Sequence, residues 1–169
     1  ITVVDRDGMA VSLIYSIFAS FGSGVASDKF GILFHNRGSG FNLTPGHPNE
    51  LGPGKRPMHT ILPGMTRQNG LIDMTFGVMG GQYQATGHCH LISNLVDFGM
   101  DPQAAIDAPR VFPQAQGLRI EDNLSDATKA GLQERGHSLF EEPGPIGGAQ
   151  AIRIDHASGT LIAGSDPRK

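Results

Sequence analysis

Two adjacent glycines, Gly80 and Gly81, are the residues whose type and spacing point most directly to chemistry. They follow an apolar segment, Ile72 to Val78, that reads as a buried strand, and they precede a segment of helical length, Gln82 to Phe98. Glycines at such a junction allow backbone N–H groups to point outward at a helix N-terminus, where they can bind an anion or a developing oxyanion. The alternative interpretation is a tight strand-to-helix turn that needs only a positive φ.

Two loops carry further polar side chains that are candidates for binding a substrate. Arg37 follows an apolar segment, Gly31 to Phe34, and its planar guanidinium suits a carboxylate, but an ordinary surface arginine fits the pattern equally well. His59 and Thr60 follow a turn rich in Gly and Pro, which either places them beside a pocket or leaves them solvated. The residues alone leave both interpretations open.

His88, Cys89 and His90 are consecutive but do not form a metal-binding motif. Residues i and i+2 lie about 200° apart around a helix, so the two imidazoles cannot share one ion. Cys89 is the only cysteine, which excludes a second thiolate ligand and an internal disulfide. Its position inside the predicted helix favours a small core residue over a nucleophile. We expect no metal and no other cofactor.

The composition is that of one domain, and we predict a single domain over residues 1–169. The net charge of −3 and the scattered Lys and Arg argue against nucleic acid as a partner. No apolar segment reaches the roughly 20 residues that cross a bilayer, so we predict no membrane span in this chain. No leader is visible, and the compartment, cytoplasmic or periplasmic, is left open.

The order along the chain of the strands and helices that must position these residues predicts an α+β fold with a largely antiparallel sheet. An Asp-Gly turn between apolar segments predicts an N-terminal hairpin of Thr2–Val4 with Ala10–Ile17. Asp101 followed by Pro102 is a helix N-cap signal. The other predicted elements are a buried strand over Gly31–Phe34, an irregular segment from Asn36 to Pro57, helices over Pro102–Ala108 and Ser125–Arg135, and a hairpin of Gln150–Ile154 with Thr160–Ala163.

Seven short motifs, in order along the whole chain, resemble the small subunit of gamma-glutamyltransferases. They lie within Val3–Ser12, Phe21–Gly24, Gly31–Leu33, Pro53–Pro57, Gly80–Gly81, Val96–Arg110 and Ser165–Arg168. Each motif is weak by itself, and the resemblance rests on all of them in register. It implies the fold of N-terminal-nucleophile hydrolases, an αββα sandwich in which antiparallel sheets lie between helical layers.

The resemblance also implies a precursor that cleaves itself and exposes a threonine at the start of the small subunit. The hydroxyl of that threonine attacks an amide, its own α-amine acts as the base, and the acyl group then passes to water or to an amine. The threonine would lie about three residues ahead of Ile1, and Thr2 is a minor candidate that requires removal of Ile1. The implied partners are the large N-terminal subunit of the same precursor and a small-molecule amide.

Further roles follow from the resemblance residue by residue. Gly80 and Gly81 match the pair whose backbone forms the oxyanion hole. Ser16 matches a threonine whose hydroxyl supports the nucleophile. His59 and Thr60 match two serines that bind the substrate carboxylate, so that only Thr60 keeps a hydroxyl.

The positions that read the substrate ammonium depart from the family pattern. Members that act on glutathione have an Asn, a Gln or Glu, and an Asp there, whereas this chain has Phe18, Arg37 and Gly40. An α-ammonium would lose its counter-charge and meet a cation instead. The segment from Phe41 to Lys55 is also shorter than the family pattern where many members carry a lid, so we expect a more open site.

Three functions are consistent with these residues. The motif order supports a gamma-glutamyltransferase-like amidohydrolase or acyltransferase for gamma-glutamyl-type amides. Phe18, Arg37 and Gly40 support an acylase for glutaryl-type amides, as in cephalosporin acylases. A catalytically inactive structural or binding subunit is supported only by the lack of a threonine at the first position.

Overall fold

The computed structural model describes residues 1–168, in which it has nine strands and three α-helices. The strands are β1 (Thr2–Val4), β2 (Ala10–Ser12), β3 (Pro63–Gln68), β4 (Leu71–Met79), β5 (Val111–Gln114), β6 (Gly117–Ile120), β7 (Leu139–Glu141), β8 (Gly148–Asp155) and β9 (Thr160–Ser165), and the helices are α1 (Tyr83–Val96), α2 (Pro102–Asp107) and α3 (Asp126–Glu134). The chain divides into two compact units. Ile1–Ile14 with Leu62–Lys169 form the sheet unit, and Tyr15–Ile61 form the loop unit.

The sheet unit is built on a four-stranded antiparallel sheet with the strand order β3-β4-β8-β9. Side chains along β4 alternate between the two faces of this sheet. Met74, Phe76 and Val78 are buried in the core together with Tyr83 and Leu91 of α1. Full burial of one such aliphatic or Phe side chain contributes about 1.5–3 kcal/mol, so this contact fixes α1 on the sheet.

The β1–β2 hairpin confirms the predicted Asp-Gly turn. The Asp5 carboxylate accepts hydrogen bonds from the backbone N–H groups of Asp7 and Met9 at 2.9 and 2.8 Å. The strand β2 ends at Ser12, and its predicted extension to Ile17 is wrong, because the chain leaves the sheet unit two residues after Ser12.

The hairpin contacts β4 through side-chain hydroxyls. Thr75 Oγ1 donates to the carbonyl of Val11 at 2.9 Å. Ser12 Oγ donates to the carbonyl of Phe76 at 2.6 Å and accepts from the N–H of Gly64 at 3.3 Å. The Ser12 hydroxyl therefore bridges β4 and its neighbour β3, which locks the hairpin onto this sheet.

The remaining elements of the sheet unit follow the local signals in the sequence. Asp101 caps α2 by accepting from the N–H of Ala104 at 2.9 Å, and Ser125 caps α3 by accepting from the N–H of Thr128 at 3.2 Å. A second sheet has the order β5-β6-β7, and its β6–β7 pair is parallel. No helix in residues 1–168 has the length and apolar character that crossing a membrane requires.

Four charged side chains, Arg110, Glu121, Asp166 and Arg168, form a network that we call the ion cluster. Arg110 pairs with Asp166, and their side chains are only 5% and 0% exposed. Arg168 donates from Nε and Nη2 to the two carboxylate oxygens of Glu121, both at 2.8 Å. Removing one partner of a buried ion pair costs about 3–5 kcal/mol, so the network must remain complete.

The ion cluster should make the fold less stable at acidic pH. Burial by itself raises the pKa of Asp166, but hydrogen bonds from Arg110 and from the N–H groups of Arg168 and Ala149 outweigh it and hold that pKa below its ordinary value. A carboxylate with a lowered folded-state pKa stabilises the fold above its ordinary pKa, and the contribution is lost as the pH falls through the folded-state pKa. We expect the urea midpoint, followed by circular dichroism, to decrease between about pH 5 and pH 3.

The same titration in two variants attributes this loss. Asp166→Asn should show a smaller decrease in the urea midpoint over the acidic range, and Asp122→Asn, which changes an exposed carboxylate, should show the full decrease. An Asp166→Asn variant with the full pH dependence of the unchanged chain would contradict the assignment to Asp166.

The loop unit has little regular structure, as predicted for the segment from Asn36 to Pro57. A single 3-10 turn covers Arg37–Gly40. The predicted buried strand over Gly31–Phe34 is wrong, because this segment makes only one isolated bridge and the side chains of Ile32 and Phe34 are 55% and 49% exposed. An apolar segment between turns is typical of a buried strand, but the pattern does not identify the residues that would bury it.

Candidate functional site

Gly80 and Gly81 form the turn between β4 and α1, where the sequence predicted it. Their φ angles are +129° and +60°, in the region that glycine adopts without steric cost. We find no hydrogen-bond acceptor for either backbone N–H among residues 1–168. Two unpaired donors beside the positive end of a helix dipole are suited to stabilise an oxyanion.

One side of this turn is tightly packed and the other is open. A Cβ atom added to Gly80 would lie 2.9 Å from the Cα of Gly147 and 3.3 Å from the side chain of Tyr83. A Cβ atom added to Gly81 would meet no atom within 4 Å. The packed side fixes the turn, and the open side leaves room for a ligand.

The direction of the first strands relates the start of the chain to this turn. Successive residues of β2 and the chain after it meet successive residues of β4. Val11 contacts Thr75 and Ser12 contacts Phe76 through hydrogen bonds. Ile14 lies 3.8 Å from the point that a Cβ atom at Gly77 would occupy. The strand β2 therefore runs in the same direction as β4, and β1, which is antiparallel to β2, runs toward the opposite end.

Ile1 lies at the end of the hairpin nearer to the Gly80–Gly81 turn. Its backbone nitrogen donates to the carbonyl of Leu13 at 2.9 Å. The line of β1, continued backward from Ile1, points toward the end of β4 that carries the two glycines.

The loop unit brings Arg37 together with three other predicted site residues, Ser16, Phe18 and Thr60, in a group that we call the Arg37 cluster. Arg37 Nη2 donates to Ser16 Oγ at 2.7 Å and to the Ser16 carbonyl at 3.4 Å. Arg37 Nη1 donates to Thr60 Oγ1 at 3.4 Å. The guanidinium carbon lies 5.4 Å from the centre of the Phe18 ring, within the range of a cation–π contact.

Hydrogen bonds fix the guanidinium of Arg37 in the Arg37 cluster, but no acidic side chain in residues 1–168 neutralises its charge. Arg37 forms no ion pair with any acidic side chain in residues 1–168. Phe18 has φ +78°, a left-handed conformation that is strained for a bulky side chain and that is characteristic of functional sites. The N–H of Phe18 donates to Ser16 Oγ at 3.1 Å, which ties the strained residue to the same hydroxyl as Arg37.

The whole chain, residues 1–169, matches the profile of the gamma-glutamyltranspeptidase family. The chain belongs to this family. The α+β class and the fold of N-terminal-nucleophile hydrolases that the resemblance implied are confirmed.

Three relatives with different names are similar to this chain. The glutathione hydrolase-like YwrD proenzyme of Bacillus subtilis is 40% identical over 176 residues, covering 98% of this chain and 33% of the relative. The oxamate amidohydrolase proenzyme of Klebsiella pneumoniae is 37% identical over 177 residues, with the same coverage of 98% and 33%. The crystal structure of cephalosporin acylase from Bacillus halodurans matches this chain with a TM-score of 0.93 at 40% identity. The match covers 99% of this chain and 32% of that chain.

This chain therefore spans about a third of the length of the curated relatives that it matches. The matched part includes both the Gly80–Gly81 turn and the Arg37 cluster, since the family profile covers every residue. The remaining length of the relatives has no counterpart in this sequence.

The other predicted site residues lie outside these two groups. His59 is exposed, and its Nδ1 accepts from the N–H of Ile61 at 3.2 Å instead of contacting Arg37. Gly40 ends the 3-10 turn, and its carbonyl accepts from the amide of Asn49. Thr2 lies inside β1, so its backbone takes part in the hairpin ladder.

The histidines of α1 contact different neighbours, as their i, i+2 spacing requires. The ring of His88 packs 5.0 Å from that of Phe76, and His90 lines a small cavity with Tyr83. Burial lowers the pKa of both imidazoles. Cys89 is exposed, so its predicted place in the core is wrong. Among residues 1–168, no three His, Cys, Asp or Glu side chains converge in a way that would hold a metal ion.

Sequence reasoning missed Gly147, which packs against Gly80 immediately before β8. Its φ of +67° and its backbone contact exclude any other residue type without strain. The signal was present as a second Gly-Gly pair, Gly147-Gly148, just ahead of the strand predicted to begin at Gln150. A glycine before a strand is usually a turn, so the pair carried no information about its neighbour in space.

Proposed function

We propose that this chain is the small-subunit part of a gamma-glutamyltransferase-like amidohydrolase or acyltransferase. One observation carries the proposal: two backbone amides without an acceptor in residues 1–168 lie at the end of β4 beside which β1 begins. This arrangement suits a nucleophile on the first strand and an oxyanion hole at Gly80 and Gly81. The proenzyme relatives and their additional length support a large N-terminal subunit from the same precursor as the partner.

The proposed reaction passes through an acyl-enzyme on a threonine ahead of Ile1. The threonine hydroxyl adds to the carbonyl carbon of the amide while its α-amine takes the hydroxyl proton. The N–H groups of Gly80 and Gly81 stabilise the oxyanion that forms. The tetrahedral intermediate then expels the amine, which receives that proton, and water or a second amine attacks the ester to release the acyl group.

Arg37 supports a more specific choice of acyl group. A half-buried guanidinium without a carboxylate partner in residues 1–168 attracts an anion, and its fork matches the geometry of a carboxylate. Gly40 supplies no negative charge for an α-ammonium. These features favour an acyl group that ends in a carboxylate, as in the alternative of a glutaryl acylase, while the family as a whole favours a gamma-glutamyl group. Ser16, which accepts from Arg37, keeps its own hydroxyl proton free to donate to a bound substrate.

An anilide panel tests the reaction and distinguishes the two acyl groups. The full-length precursor, matured into its two subunits, is assayed with gamma-glutamyl, glutaryl and butyryl p-nitroanilides, of which the butyryl compound lacks the terminal carboxylate. We expect the two anilides that end in a carboxylate to release nitroaniline much faster than the butyryl anilide does. Only these two carry a negative charge that Arg37 can bind. Faster release from the gamma-glutamyl compound than from the glutaryl compound would reject the acylase alternative.

The same assay also addresses the inactive-subunit alternative. Intact-mass measurement of the small subunit during turnover should find a mass increased by one acyl group, since an ester forms at each active site. A matured protein that neither releases aniline from any of the three compounds nor gains an acyl group would contradict the enzymatic function.

A further inference from the structure

The last two family motifs, Val96–Arg110 and Ser165–Arg168, have no part in the proposed reaction, yet they supply three members of the ion cluster. The cluster binds the backbone on either side of Gly147. Arg110 Nη1 donates to the carbonyl of Ile146 at 2.9 Å. The N–H of Ile146 donates to the Glu121 carboxylate at 3.4 Å, and the N–H of Ala149 donates to the Asp166 carboxylate at 2.7 Å.

The backbone held in this way forms the packed side of the Gly80–Gly81 turn. A Cβ atom added to Gly147 would lie 2.4 Å from the carbonyl oxygen of Met79 and 2.5 Å from the ring of Tyr83. A Cβ atom added to Gly80 would lie 2.9 Å from the Cα of Gly147. The two backbones therefore touch without side chains between them, and a shift of one displaces the other.

We propose that the ion cluster positions the Gly80–Gly81 turn for oxyanion binding, acting through the backbone of Ile146 and Gly147. The inference rests on the proposed function of that turn. Oxyanion-hole donors act at about 2.7–3.1 Å from the developing charge, and a displacement on the order of 1 Å lowers the rate about 100-fold. Arg110, Glu121, Asp166 and Arg168 are thus positioning residues that do not touch the substrate.

Glu121→Gln in the matured two-subunit enzyme tests the proposal. The change keeps the side-chain shape but weakens the acceptor for the Ile146 N–H and removes the charge that holds Arg168. We expect kcat per titrated active site to fall about 10- to 100-fold with KM within about twofold, because an oxyanion donor acts on the transition state alone. The matched control, Glu142→Gln, changes an exposed carboxylate that pairs with Arg119 and should leave kcat unchanged.

A purely structural role for the ion cluster predicts a different result. It would lower the melting temperature and the yield of active enzyme but leave kcat per titrated site as in the unchanged enzyme, and that outcome would overturn the proposal. If Glu121→Gln does not mature, Arg168→Lys, which loses the two-point contact with Glu121 but keeps the charge, is measured in the same way. An unchanged kcat per site in that variant overturns the proposal equally.

Hydrogen exchange separates this inference from the proposed function. In Glu121→Gln, the amides of residues 79–84 should exchange faster than in the unchanged protein, whereas those of the β8–β9 turn should not change. This measurement needs no substrate, so faster exchange in an enzyme that cleaves none of the anilides would reject the proposed function and support the mechanical link. Unchanged exchange at residues 79–84 would reject the link itself.

Discussion

Replacing Gly80 by alanine is expected to lower kcat for anilide hydrolysis by about 100- to 1,000-fold, the loss typical of removing one oxyanion-hole donor. The added methyl would lie 2.9 Å from the Cα of Gly147, closer than real Cβ atoms approach, and φ +129° is unfavourable for alanine. The turn must therefore move, and its two amides move with it. The measurement is kcat per titrated active site in the matured enzyme.

Two further glycine substitutions show whether the loss belongs to the turn. Gly159→Ala is the matched control, because Gly159 has φ +72° and open space in the β8–β9 turn. It should cost about 1 kcal/mol of stability from backbone strain and leave kcat unchanged. Gly81→Ala, with φ +60° and open space, should fall between the two. A Gly80→Ala enzyme that keeps the kcat of the unchanged enzyme would contradict the oxyanion-hole assignment.

Elements with local signals could be predicted from the sequence. The strand predicted over Ile72–Val78 became β4, and the helix predicted over Gln82–Phe98 became α1, with boundaries that differ by one or two residues. Asp101 and Ser125 cap helices because an N-cap needs only a side-chain acceptor three residues ahead of a free N–H. Such contacts join residues that are close in the sequence, so a local sequence pattern is enough to predict them.

The strand β3 could not be predicted because its residues argue against a strand. It begins with Pro63 and Gly64, both of which usually interrupt sheets. Pro63 is the first residue of the strand, where its missing N–H is tolerated, and Gly64 is required because a Cβ there would lie 2.4 Å from the Phe76 ring. This reason lies in a residue of the neighbouring strand, which no local pattern reveals.

The candidate site divides in the same way. The glycine pair was visible as a local turn, and the family resemblance named Ser16, Phe18, Arg37 and Thr60 as site residues without predicting that they contact one another. Neither source revealed that Phe18 adopts φ +78°, because a left-handed Phe is imposed by its surroundings against its own preference. The packing of Gly147 on Gly80 was hidden for a related reason, since it joins segments far apart in sequence.

Arg37→Met should change the specificity of the enzyme more than its chemistry. Methionine keeps an unbranched apolar stem but removes the charge and the donors that the guanidinium offers to a carboxylate. A hydrogen bond to a charged group contributes about 1.5–3 kcal/mol, so kcat/KM for the glutaryl anilide should fall about 10- to 100-fold. The butyryl anilide has no carboxylate to lose, and its kcat/KM should stay the same or rise. Steady-state kinetics on both anilides give the ratio directly.

The ratio of the two kcat/KM values separates recognition from general damage. Arg56→Met is the matched control, because Arg56 is an exposed arginine of the same loop unit that forms no ion pair in residues 1–168, and it should leave the ratio unchanged. Arg37→Lys should recover part of the glutaryl activity, since it restores the charge without the fork. Equal losses on the glutaryl and butyryl anilides in Arg37→Met would mean that Arg37 supports the loop unit and does not read the acyl group.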